Sequence, residues 1–156
     1  MTPAIKQAEN NNLIFKLHQY QHDDHATSYG LEAAEKLNLP PEQIFKTLVV
    51  NTEKQKLAVA IIPVNHQLNL KSMAKALKTK KVQMADTKRV ESSTGYVLGG
   101  VSPLGQKKPL PTVIDDSCKA FQTIWVSGGK RGLEIELDPV DLALVTHASF
   151  NSIIGS

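Results

Sequence analysis

Two neighbouring apolar segments limit what this chain can fold into. Residues 45–51 and 56–62 are rich in β-branched and aliphatic side chains, and only the polar Thr52-Glu53-Lys54-Gln55 separates them; this predicts two strands of a hairpin. In the second segment Leu57, Val59 and Ile61 alternate with Ala58, Ala60 and Ile62, so both faces are apolar. Such a strand needs cover on both sides, which puts it inside a sheet with layers packed against each face. At 156 residues and 41% hydrophobic content, the chain can bury a core around that strand without a disulfide or metal, and it reads as one domain over 1–156.

Helical and strand patterns intersperse around the hairpin. Residues 2–19 are expected to form an amphipathic helix, with Pro3 near its start and Ile5, Ala8, Ile14 and Leu17 on one face. A second helix is expected over 29–37, ended by Pro40-Pro41. Asn69 can cap a helix over 70–77, Asp86 another ending near Gly95, and Asp138 with Pro139 a last one. Residues 112–115, 123–127 and 133–137 read as further strands. Hairpin-length gaps argue against a purely parallel sheet with a helix at every crossover. The expected fold class is therefore mixed α+β, a largely antiparallel mixed sheet flanked by helices.

No segment approaches the roughly 20 apolar residues of a membrane span, and the polar opening is unlike a signal-peptide core. Cys118 is the single cysteine, so an internal disulfide is impossible and a reducing compartment is the simplest setting. A soluble, cytoplasmic protein with no membrane partner is the expectation. The net charge of +3 permits nucleic-acid binding without establishing it. Its distribution says more: Lys71, Lys75, Lys78, Lys80, Lys81, Lys88 and Arg89 face a single acid, Asp86, within 71–89. By spacing, Lys71, Lys75 and Lys78 share a helical face that could follow a phosphate backbone or simply be solvated; Lys107 and Lys108 are candidates to extend the field.

Candidate chemistry concentrates in three places. Lys46 sits near the start of an apolar strand, where an ammonium needs a partner, a ligand or a route to solvent. The long loop 95–111 contains Gly99-Gly100-Val101-Ser102-Pro103, whose amides could hold a ligand oxygen, or which could be a tight turn. Ser127-Gly128-Gly129-Lys130-Arg131-Gly132 could bind phosphate or simply connect two strands, but it lacks the P-loop order. His18, His22 and His25, with Asp23 and Asp24, match no strong metal signature and read as loop histidines. Cys118, even if near His147, reads as a buried thiol, and no Gly-x-Ser-x-Gly elbow occurs.

Taken together, Tyr29-Gly30-Leu31-Glu32-Ala33-Ala34, Phe45-Lys46-Thr47-Leu48 and the two glycine segments resemble the YbaK family of Cys-tRNA(Pro) deacylases, related to the editing domain of bacterial prolyl-tRNA synthetases. The resemblance implies a partly barrel-like sheet, a site for the aminoacylated 3′ end of tRNA, no metal or other cofactor, and recruitment through prolyl-tRNA synthetase. It implies catalytic positions at Lys46, Gly100 and Val101 and substrate contacts at Tyr20, Thr47, Gly99, Ser102, Pro103, Ser127, Gly128 and Gly129; the basic patch, by its charge and spacing, makes Lys71, Lys75, Lys78, Lys80, Lys81 and Arg89 the candidates for tRNA backbone contacts. Cysteine is the implied cargo and alanine the alternative, with the substrate thiol or water attacking the ester. Two other readings stand beside it: a non-catalytic RNA-binding module, and a thiol enzyme using Cys118.

Overall fold

The structure, a computed structural model, describes residues 1–24 and 28–155. The chain runs α1 (Pro3–Asn10), β1 (Phe15–Gln19), α2 (Tyr29–Lys36), a 3-10 turn (Pro41–Gln43), β2 (Phe45–Thr52), β3 (Leu57–Pro63), α3 (Leu70–Leu77), β4 (Val82–Met84) and α4 (Thr87–Thr94). It continues through β5 (Thr112–Asp115), a second 3-10 turn (Asp116–Ala120), β6 (Ile124–Ser127), β7 (Leu133–Leu137), α5 (Pro139–Thr146) and β8 (Ser149–Asn151). The strands form two sheets, in the orders β4-β2-β3-β5-β8 and β1-β7-β6. Among the described residues four of the six strand pairings are antiparallel; β3–β5 and β5–β8 are parallel. This is the mixed, largely antiparallel architecture that the strand spacing predicts.

Strand β3 lies in the middle of the larger sheet, and all its residues are buried. Its two faces enter different cores. Ala58, Ala60 and Ile62 pack with Val50, Met73 and Ala74, so α3 covers that side. Leu57, Val59 and Ile61 pack with Ala4, Ile5 and Ala8 of α1 and with Val126, Ile135 and Leu137 of the smaller sheet. Apolar surface on both faces is thus used on both faces, each buried Val, Leu or Ile side chain contributing roughly 1.5–3 kcal/mol.

One expectation fails. The opening helix stops at Asn10, and 15–19 is a strand pairing β7 in the register Phe15↔Leu137 to Gln19↔Leu133. Asn12 takes the left-handed conformation, φ 55°, which asparagine tolerates better than most residues and which ends a helix. Ile14 is 86% exposed, so its helical spacing from Ile5 and Ala8 is coincidental. Strands β4 and β8, three residues each at the sheet's two edges, are too short to show a period.

Among the described residues, no helix is long and apolar enough to cross a membrane.

Candidate active site

The two sheets meet through a bridge from Ile44, just before β2, to Trp125 of β6. Beside it lies a cavity of about 290 Å³. Phe45, Lys46, Thr47 and Leu48 of β2 line it, as do Ser127 and Glu134 of the smaller sheet. The start of α2 contributes Tyr29 and Gly30 with the cap residue Ser28, the long loop contributes Leu98, Gly99 and Val101, and Tyr20, Ile44, Val64 and Arg131 complete the lining.

The Lys46 ammonium makes no hydrogen bond or ion pair among the described residues. Burial pushes its pKa down from the ordinary lysine value, as expected for an ammonium withdrawn from water without a counter-charge. Next to it in sequence, the Thr47 hydroxyl is buried with no hydrogen-bond partner among the described residues. Lys46 pairs Ile62 and Thr47 pairs Ile61, so the two side chains leave opposite faces of β2, and each is a desolvated polar group without compensation.

The glycines of the loop have geometric causes. Gly99 has φ +92°, and a Cβ there would stand 2.9 Å from the Tyr29 ring; at Gly100 it would stand 2.9 Å from Lys130 Cα. Only glycine lets this loop lie between Tyr29 and the β6–β7 turn. The Gly100 N–H donates to Val97 O at 2.9 Å, so of the expected pair of amides at Gly100 and Val101 the first is already engaged within the loop. Val101 lines the cavity, and its N–H makes no hydrogen bond among the described residues.

Of the other expected substrate contacts, Tyr20, Thr47, Gly99 and Ser127 line the cavity. Ser102, Pro103, Gly128 and Gly129 do not. Ser102 is fully buried and its Oγ accepts from Leu104 N–H at 3.2 Å, while Pro103 lines a separate groove with Gln7 and Gln106. The amides of Gly128 and Gly129 donate to Leu133 O at 2.8 Å and Ser127 Oγ at 3.1 Å, so these glycines shape the turn that presents Ser127.

Two features of the site escape the sequence reading. Glu134 is 7% exposed on β7, and burial pushes its carboxyl up to about 8. The alternation Leu133-Glu134-Ile135-Glu136-Leu137 reads as a strand with a wet acidic face; only the cover of the cavity walls makes one of its acids a buried group. Arg131 also serves differently from the phosphate ligand considered above. Its guanidinium lies 3.3 Å from Glu32 Oε1, donates to Asp23 O at 2.6 Å and stacks 4.3 Å from the Tyr29 ring centroid. Glu32, 6% exposed, also accepts the Asp23 N–H, so this pair holds α2 against the β6–β7 turn.

Of the histidines read as loop residues, His22 is exposed in the loop after β1 as expected, and His18 departs from that reading. His18 lies on β1, its Nε2 3.1 Å from Glu136 Oε1 and its ring 3.9 Å from that of Trp125. His22 pairs with Asp24 at 3.4 Å, and His25 falls outside the described residues. Cys118 is fully buried in the second 3-10 turn, away from the cavity lining, and burial with Asp115 and Asp116 pushes its thiol up to about 11. A thiol so unwilling to ionise is a poor nucleophile. Cys118→Ala is expected to leave turnover within about twofold of wild type; a deacylation assay that loses activity with this substitution overturns that assignment.

The fold and cavity define a two-sheet α+β domain whose small site offers, among the described residues, an unpaired ammonium, backbone amides without acceptors and polar wall groups, a set suited to holding a carbonyl compound. A family model described as the aminoacyl-tRNA editing domain matches residues 24–144, and the chain belongs to that family. It is 39% identical over 153 residues, 97% of this chain and 92% of the relative, to an Enterococcus faecalis protein, EbsC, whose name proposes it as a Cys-tRNA(Pro)/Cys-tRNA(Cys) deacylase. It is 26% identical over 99 residues, 64% of this chain, to 17% of the proline–tRNA ligase of Brachyspira hyodysenteriae. A crystal structure described as a trans-editing enzyme candidate for prolyl-tRNA synthetase superposes with a TM-score of 0.84 at 23% identity, over 99% of this chain and 96% of that one, which shows the shared fold.

Proposed function

We propose that this protein is a cytoplasmic trans-editing deacylase that removes cysteine from mischarged tRNA(Pro), recruited through prolyl-tRNA synthetase. The observation that carries the reading is the desolvated, unpartnered Lys46 in a cavity that also presents the Val101 amide. Lys46 anchors the ribose end of the ester, and the Val101 N–H meets the oxygen on which negative charge develops at the carbonyl. Thr47 and Ser127 supply hydroxyls to the aminoacyl group. Tyr20, its phenol pushed up to about 12 by burial and by the carboxylates of Glu134 and Glu32, stays protonated and donates.

No wall residue is needed as the nucleophile for a cysteinyl ester. The substrate sulfur forms a bond to the carbonyl carbon, the ester C–O bond breaks, and the thiol proton ends on the released ribose oxygen. Holding sulfur and carbonyl in reach of each other can contribute on the order of 7 kcal/mol or more. Deacylation of Cys-tRNA(Pro), Ala-tRNA(Pro) and Pro-tRNA(Pro) by the purified protein checks this. Cysteine is expected to be released fastest and as a cyclised thioester; release of free alanine at equal or greater rate assigns the site to alanine and water, and three unchanged substrates sink the enzyme.

Glu134 is assigned to the substrate's α-amino group, the two sharing one proton. In the free protein its pKa, about 8, stands above the ordinary carboxyl value of 4.5. A carboxyl raised on folding contributes stability that is full below about 4.5 and lost as pH rises through about 8. Thermal melts of the free protein are therefore expected to fall across that window, and Glu134→Gln to flatten the fall. The same substitution is expected to raise KM for Cys-tRNA about tenfold with a smaller change in kcat. Identical melting profiles for the two proteins, or an unchanged KM, remove Glu134 from the site.

A further inference from the structure

The charge of this chain is divided far more sharply than its net +3 conveys. Nine of the 18 basic residues and only two of the 15 acids lie in 53–89, which gives that segment +7 and leaves the rest of the chain at −4. Folding concentrates it further. Glu53 N–H donates to Lys81 O, the Lys80 N–H to Glu53 Oε1, and Arg89 Nη2 to Gln55 O. These contacts draw Lys54, Lys56, Lys78, Lys80, Lys81 and Arg89 around the β2–β3 turn. All but Arg89 are exposed, and none forms an ion pair among the described residues.

Helix α3 links this cluster to the level of the cavity. Its cap residue, Asn69, donates its N–H to Ile153 O, and Ile153 N–H donates to Asp115 Oδ1 at the end of β5. Strand β5 runs parallel to β3 with Ile61↔Ile114, and β3 pairs Ile62 with Lys46. Helix α3 therefore begins at the Lys46 end of the larger sheet and finishes beside the β2–β3 turn. Between Lys46 and Thr52 β2 advances about 20 Å. Met73 and Ala74 face the sheet, while Lys71 and Lys75 are exposed, and Lys78 follows at the C-cap. Lys107 and Lys108 do not extend this line: their amides bond Ser93 and Thr94, at the opposite end of α4 from Lys88 and Arg89.

We propose that the exposed face of α3 and the β2–β3 turn form one cationic track for an RNA sugar-phosphate backbone, running from the level of the cavity to a terminus roughly 20 Å away. This deepens the proposed function and rests on it. With the aminoacylated 3′ end in the cavity, the paired acceptor arm lies along α3, and the protein holds it by charge and shape without reading bases. The surface supplies affinity and direction; it makes no contact with the ester.

The test combines Lys71→Ala, Lys75→Ala, Lys78→Ala and Lys81→Ala in the full chain. Fluorescence anisotropy with uncharged tRNA(Pro) is expected to show binding weakened about tenfold or more, and a log Kd against log salt slope reduced by about 3. The KM for Cys-tRNA(Pro) should rise with kcat unchanged, while a cysteinylated CCA trinucleotide is turned over as by wild type. A Lys107→Ala, Lys108→Ala protein should bind tRNA normally. Unchanged tRNA affinity and salt slope in the fourfold variant overturn the track. So does wild-type protein that binds phosphatidylglycerol vesicles but not tRNA. Because the binding arm uses uncharged tRNA, it reads the track even if no ester is cleaved.

Discussion

Lys46→Ala should reduce kcat/KM for deacylation of Cys-tRNA(Pro) by about 10²-fold or more while leaving the protein folded. Losing the anchor that fixes the ester relative to its attacking group has effects of this size. The fold should survive because Lys46 supports no neighbour: it has no ion pair among the described residues, and its ammonium is paying a desolvation penalty in the free protein. The alanine variant is accordingly expected to melt at or slightly above the wild-type temperature. Loss of activity with an unchanged or raised Tm separates a catalytic role from a structural one. Wild-type turnover by Lys46→Ala removes the lysine from the mechanism.

Glu32→Ala should act in the opposite sense, through stability. Glu32 is buried, and its two oxygens meet Arg131 Nε at 3.3 Å and the Asp23 N–H at 2.5 Å. Deleting one member of a buried charged pair typically costs about 3 kcal/mol or more, because the remaining partners lose their compensation. Glu32→Gln keeps an acceptor for the Asp23 amide and should cost less than half as much. Urea unfolding distinguishes these values readily. The alanine variant should also bind substrate poorly, since Tyr29 is held between the Arg131 guanidinium and Gly99 and forms part of the cavity wall. If Glu32→Ala unfolds within about 1 kcal/mol of wild type, the contact is a surface-like ion pair and has no positioning role.

These two residues also show what was legible in the chain. Lys46 stands out because a strand otherwise filled by Phe45, Leu48, Val49 and Val50 has no local reason to carry an ammonium. Glu32 offers no such contrast: an acid in the first turn of a helix is ordinary, and its partner lies 99 positions away. Glu134 is hidden for a related reason, because alternation assigns it to a face and tertiary cover decides whether that face is wet. The caps at Asn69, Asp86 and Asp138 are local, and each appears as expected, accepting the amides of Ser72, Arg89 and Val140. By contrast, 15–19 carries a helical spacing that a pairing partner more than 110 positions away overrides. The glycine loop was legible as a site but not in its division of labour, since which amides are already engaged depends on the turn they build.

The junction at Ile44 and Trp125 has a consequence for how specificity can diverge. The cavity sits at a seam where strand pairing lapses, so its walls come from different elements: β2 in one sheet, β6 and β7 in the other, and α2 and the 97–101 loop packed on each other and on the β6–β7 turn. Substitution of a loop residue such as Leu98, which is exposed at the rim, resizes the chamber without breaking a ladder or moving the lysine. On the proposed reading, rim residues that hold no part of the ester can vary while Lys46 and the Val101 amide stay in place, so one scaffold can exchange its amino-acid cargo in small steps.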